Sequence, residues 1–148
     1  MQLNTAVLGK VEVGEDSVLY LPEGLYGFEY ERDYALITRQ DEGVTLMWLQ
    51  AVGAPAPCFV VFDPMEVASG YAPKLESDDL RSLEAGSEEE LSFLAIAVVP
   101  EDVSQISINL KSPIAVNRRN KKARQVILTG QDYPIKYYLF TEDGQPPG

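Results

Sequence analysis

The chemistry open to this chain is narrow. It contains no histidine and one cysteine, Cys58. Without histidine it lacks the usual general base at neutral pH, a Ser-His or Cys-His nucleophile pair, and the commonest metal ligand. One thiol makes neither an internal disulfide nor a thiolate zinc site. Cys58 lies in an apolar stretch beside Phe59, with nothing to activate it, and reads as a buried structural thiol. Carboxylates are plentiful, and Asp78 with Asp79, like Glu88, Glu89 and Glu90, are consecutive. Neighbours on a strand point to opposite faces, so adjacency alone builds no acid–base dyad. Nor does the sequence imply an apolar pocket to tune their pKa. Gly24 and Gly27 frame Leu25-Tyr26, a spacing that fits turns rather than a dinucleotide or phosphate loop. The reading is a protein that is not an enzyme, with no metal and no cofactor.

What remains is binding chemistry. Twelve Lys and Arg stand against 23 Asp and Glu, a net charge of −11. Such a chain is repelled by phosphate backbones, which argues against direct nucleic-acid binding or attraction to an anionic membrane. The charge is uneven: residues 1–110 hold 5 basic and 20 acidic side chains, whereas Arg118, Arg119, Lys121, Lys122 and Arg124 cluster near the C-terminus. That cluster is a solvated hairpin loop, a docking patch, or an internal counterweight to acidic loops. Glu15, Asp16, Glu23, Glu29, Glu31 and Asp33 form an early acidic group, and Glu84, Glu88, Glu89 and Glu90 a second. They serve solubility or steer a basic protein partner. Tyr20, Leu21, Leu25, Tyr26, Phe28 and Tyr30 share eleven positions with Pro22, Gly24 and Gly27. Such a segment is either an exposed apolar interface or a loop folded over a barrel end. Trp48 reads as a core aromatic at a strand end, with an exposed binding anchor as the alternative.

The elements that must carry these residues are mostly strands. At 148 residues and 45% apolar, the chain suits one folded domain. Period-two alternation at Val11-Glu12-Val13, over 106–110 and at Ile114 and Val116 predicts strands with one buried face. The β-branched and aromatic runs 34–39, 45–51, 58–63, 91–99, 126–128 and 135–140 predict more, with 91–99 central. Gly14-Glu15-Asp16 and Asp41-Glu42-Gly43 suit hairpin turns. Ser77 is a candidate cap for a short helix with Leu80 and Leu83 on one face. Ser87 and Glu90 match a capping box, although the residues after them favour strand. The expected fold is mainly β: a small antiparallel β-barrel-like domain over 1–140 with one or two short helices, then a flexible tail over 141–148. The N-terminus lacks a secretory signal pattern, and no apolar run approaches the ~18 residues of a membrane span, so a soluble cytoplasmic monomer with no membrane attachment is expected.

Four segments, in order, resemble the flagellar assembly factor family FliW: LPEGLYGFE at 21–29, MWLQA at 47–51, INLKSPIAVN at 108–117 and KARQVIL at 122–128. The opening NTAVLGKVEV fits as well, so the resemblance runs from about 4 to about 139. Two positions depart from the pattern. Ala123 and Arg124 stand where a glycine is expected shortly before Gln-x-Ile-Leu, and Cys58 where a small or apolar residue is expected. The resemblance implies a non-enzymatic β-barrel-like regulator with two protein partners. One is flagellin, bound near its C-terminal helical end. The other is the translational repressor CsrA, the carbon storage regulator, whose antagonism couples flagellin synthesis to assembly. Candidate partner-binding residues on these segments are Leu25, Tyr26, Phe28, Trp48, Gln50, Asn109, Pro113, Asn117, Arg118 and Lys121. The competing reading is a small β-barrel that binds an apolar small molecule.

Overall fold

The computed structural model describes residues 1–140. The expected tail over 141–148 lies outside the described residues. Eleven strands are named in chain order: β1 (Gln2–Thr5), β2 (Gly9–Glu12), β3 (Val18–Tyr20), β4 (Asp33–Asp41), β5 (Val44–Ala51), β6 (Cys58–Phe62), β7 (Leu91–Val98), β8 (Ser107–Ile108), β9 (Ile114–Asn117), β10 (Ala123–Gln125) and β11 (Tyr137–Tyr138). Two short helices, α1 (Pro64–Val67) and α2 (Ser77–Ser82), cross between β6 and β7.

Seven strands form one antiparallel path in the order β10-β9-β7-β6-β5-β4-β3, with β8 and β11 continuing from β7. The path curls until its ends meet. Tyr20 and Lys122 form one parallel bridge, and the Tyr20 N–H donates to the Lys121 carbonyl at 2.9 Å. The sheet is therefore barrel-like, with a seam of one bridge rather than a ladder. Period-two alternation sorts the side chains. Leu19, Tyr34, Leu49, Val61, Leu94 and Ile114 meet in the interior cluster. The intervening residues of β7, Leu91, Phe93 and Ala95, face outward into a second cluster with Leu83, Val126 and Leu128. A third cluster lies where the β1–β2 hairpin, through Leu3, covers Ala35 and Ile37. The side chains of this interior cluster pack against one another, as close packing requires.

Local chemistry accounts for most boundaries. Asp41 pairs with Val44, so Glu42 and Gly43 alone make the β4–β5 turn, at φ 49° and 81°. Both central residues are left-handed, which matches the twist of the flanking strands. β7 is central, bonded to β6 on one side and to β9 and β8 on the other. The Ser87–Glu90 capping box is present, over a single 3₁₀ turn that leads straight into β7.

Four expectations are corrected. Gly14-Glu15-Asp16 is not a hairpin turn: β2 pairs with β1 and β3 with β4, so the chain between them only links two sheets through a 3₁₀ turn. Residues 126–128 belong to no strand. Val126 and Leu128 donate to the Pro113 and Lys111 carbonyls, and Pro113 has no N–H with which to return the ladder. Glu76, not Ser77, is the N-cap of α2. Cys58 is half-buried rather than enclosed, and desolvation pushes its thiol pKa up. Helix α1 was not anticipated. Its signal was Asp63-Pro64, where the Asp63 carboxylate accepts from the Met65 N–H and proline occupies the first helical position.

Candidate partner-binding surface

The 21–32 segment is built to bury its leucines and show its tyrosines. The Leu21 N–H donates to the Arg32 carbonyl at 2.7 Å and closes the base of the loop. Gly24, Phe28 and Glu31 then donate to the carbonyls of Leu21, Leu25 and Phe28. Gly24 sits at φ 68°, and a Cβ there would lie 2.7 Å from the Glu29 Cα. Only glycine satisfies both the left-handed backbone and the close approach. Leu21 and Leu25 are fully buried in the interior cluster, each worth roughly 1.5–3 kcal/mol of burial. Phe28 packs edge-on against Phe59, ring centroids 5.2 Å apart. Outside, Tyr20, Tyr26 and Tyr30 are 43%, 57% and 72% exposed, and Glu23 and Glu29 lie exposed between them. The alternatives of interface and folded-back loop both hold, divided by residue. The segment is tied down from the far end of the chain: the Tyr26 N–H donates to Gln125 Oε1 at 3.0 Å.

The turn between β9 and β10, together with Arg124 of β10, carries the basic cluster. Buried Asn117 fixes it. Its Nδ2 donates to the Leu83 carbonyl at 2.8 Å, and its Oδ1 accepts from the Arg119 N–H. Arg124 reaches Asp79 at 3.1 Å, Glu23 at 3.5 Å and Ser82 Oγ. Lys122 pairs with Glu84, and that hydrogen bond holds the Glu84 pKa below its ordinary value. Arg124 and Lys122 are thus the internal counterweight among the three readings of the cluster. Arg124 clamps α2 and the tyrosine loop across the barrel seam, and Lys122 ties down the chain just after α2. Desolvation raises the Asp79 pKa despite the opposing pull of Arg124. The Arg118 guanidinium donates to the Leu91 and Glu89 carbonyls. Lys121 is exposed, at φ 64°, and makes no ion pair among the described residues.

The ten candidate residues do not form one site. Leu25, Gln50, Pro113 and Asn117 are buried and offer no surface to a partner, so they are corrected from contacts to scaffold. Gln50 Nε2 donates to the Ala51 and Pro55 carbonyls and shapes the 51–57 loop. Asn109 Oδ1 accepts from the Ser112 N–H in a turn. Trp48 is half-buried beneath the β1–β2 hairpin, nearer the core reading than the anchor reading. Tyr26, Arg118 and Lys121 remain at the surface, the first on the tyrosine loop and the other two at the barrel mouth, while Phe28 is half-buried against the interior cluster. Tyr20, Tyr30 and the Arg124–Asp79–Glu23 clamp are missing from the expected set. The tyrosines are visible in the sequence as aromatic residues in a glycine-broken segment. The clamp leaves no local signal, because its members are far apart in the chain.

The family model for the FliW protein matches residues 2–139. The chain belongs to the FliW family. Its relatives include the flagellar assembly factor FliW of Ruminiclostridium cellulolyticum, 33% identical over 96% of each chain. That of Geobacter sulfurreducens is 34% identical over 96% of this chain and 88% of the relative. A crystal structure of the flagellar assembly factor FliW superposes with a TM-score of 0.85 at 27% identity, covering 96% of this chain and 99% of that one. The FliW fold, mainly β with antiparallel sheets and two short helices, agrees with the class expected from the alternating strands, although the sheet is not closed into a full barrel.

Proposed function

We propose that this FliW chain is a non-enzymatic regulator, a cytoplasmic monomer that binds flagellin through the tyrosine loop and binds CsrA through its acidic surface. Occupation by flagellin frees CsrA to repress further flagellin synthesis. The observation that carries this reading is the pair of exposed tyrosines on a pinned loop, Tyr26 and Tyr30, with exposed Tyr20 ending β3 just before it. Tyrosine gives large amphipathic contact area at little cost in side-chain entropy, as an interface needs, and flagellin's terminal segments are amphipathic. The net charge of −11 supports the second half, because a repressor that holds RNA carries positive charge.

The test is calorimetric titration with CsrA, with and without flagellin. Tight CsrA binding that flagellin weakens is the expected result; binding to neither partner overturns the proposal. Tyr26→Asp combined with Tyr30→Asp, both at exposed positions, should weaken flagellin binding tenfold or more in a protein that still melts cooperatively. Unchanged affinity would remove the loop from the interface.

A further inference from the structure

The barrel has an open cleft at the end ringed by β3, β4, β7, β9 and the 118–121 turn. Leu19, Leu36, Leu94 and Val116 form its floor, and Arg118 and Lys121 stand on its rim. Its volume is about 260 Å³, just under the ~300–1,000 Å³ of sites that enclose whole metabolites. It has room for one residue-sized group.

Charge makes the cleft unusual. The chain as a whole is strongly anionic. Just beyond that turn, Lys122 and the β10 residue Arg124 are neutralised by Glu84 and Asp79. Arg118, in contrast, is held by backbone carbonyls, which fix the guanidinium without cancelling its charge. A guanidinium has five N–H donors, so it keeps some in hand. Lys121 has no ion-pair partner among the described residues and holds a left-handed backbone that lysine rarely adopts. One carboxylate, Asp16, shares the rim and leaves the two cations in excess. An apolar floor beneath a cationic rim matches a short apolar group that ends in an anion. Ser17, Thr38 and Ser92 line the same cleft and offer hydroxyls to a peptide N–H or carbonyl.

We propose that the barrel mouth captures the free C-terminal carboxylate of a peptide ending in an aliphatic residue. The terminal side chain occupies the Leu19–Leu94–Val116 floor, and the carboxylate lies between Arg118 and Lys121. Internal peptide segments carry no such charge and are excluded. This inference does not depend on which proteins the tyrosine loop or the acidic surface binds.

The experiment is NMR titration of the ¹⁵N-labelled full chain with N-acetyl-Gly-Ser-Leu, with its C-terminal amide, and with hexanoate. The expected result is saturable shifts at Leu19, Leu94, Val116 and Lys121 with the free acid, and affinity at least tenfold weaker with the amide. Lys121→Asn removes the charge and suits the left-handed backbone, so it should weaken the free acid by a similar factor while leaving the melting temperature unchanged. Equal binding of acid and amide, or indifference to Lys121→Asn, overturns the proposal. So does the absence of saturable shifts at millimolar peptide. Hexanoate binding as tightly as the peptide would assign the cleft to free carboxylic acids and overturn the peptide assignment.

Discussion

At the scale of single residues, two buried side chains make opposite predictions. Leu25 is 1% exposed in the barrel interior. Leu25→Ala should cost about 2–5 kcal/mol in chemical denaturation, through lost burial and the cavity left behind. Tyr34 is equally deep, and its hydroxyl finds no hydrogen-bond partner among the described residues. An unpaired buried hydroxyl costs roughly 1–3 kcal/mol of desolvation, so Tyr34→Phe should leave stability at pH 7 unchanged or raise it. The pKa supplies the second half of the test. Burial first, then the charge of Glu31, pushes the Tyr34 pKa up from 10.0 to about 12. A folded-state pKa above the unfolded one gives stability that is full below pH 10 and lost as pH rises toward 12. Melting curves across that range should show a loss that is smaller in Tyr34→Phe. An identical alkaline loss in both proteins would place its origin elsewhere.

At the scale of elements, the clamp across the seam is the feature to measure. Arg124 joins Asp79 of α2, itself largely enclosed, to Glu23 of the tyrosine loop. Truncating Arg124 leaves Asp79 partly buried and unpaired, which costs more than losing a surface pair. In a double-mutant cycle of Arg124→Ala and Asp79→Ala, the coupling should reach about 1 kcal/mol or more; additive effects would show the two elements to be independently held. Such partnerships mark the limit of what the sequence discloses. Strands β4 to β7 were legible because alternation and turn chemistry are local. The β4–β5 turn was legible from Glu42-Gly43, and the break into β7 from Ser87 and Glu90. Pairing is not local: whether Gly14-Glu15-Asp16 closes a hairpin depends on the partners taken by the strands on either side. The same holds for the candidate surface. A tyrosine-rich segment could be recognised, but its division into buried Leu21 and Leu25 and exposed Tyr26 and Tyr30 required the core they pack against.

At the scale of the whole molecule, charge governs encounter rather than fold. With a net charge of −11, association with a basic partner is steered by long-range attraction, and salt screens that attraction within about 10 Å at 0.1 M. On the proposed function, the association rate with CsrA should fall about tenfold or more between 50 and 500 mM salt, as stopped-flow fluorescence can follow, while dissociation changes less. A salt-independent association rate would show that short-range contacts alone set the encounter.

The seam carries a consequence in time as well as in space. The loop bearing Tyr26 is anchored by Gln125, 99 residues further along the chain, and the ring closes only where Tyr20 meets Lys122. A ribosome delivers the loop early and its anchor late. Until Gln125 has cleared the exit tunnel, a nascent chain has the tyrosines and the loop's own hydrogen bonds but lacks the tie from Gln125. Closure over so long a separation is also the slowest kind of contact to form. The proposed recognition surface is therefore among the last parts of the molecule to be completed, and a chain stalled before Gln125 should bind that loop's partner more weakly than the full chain.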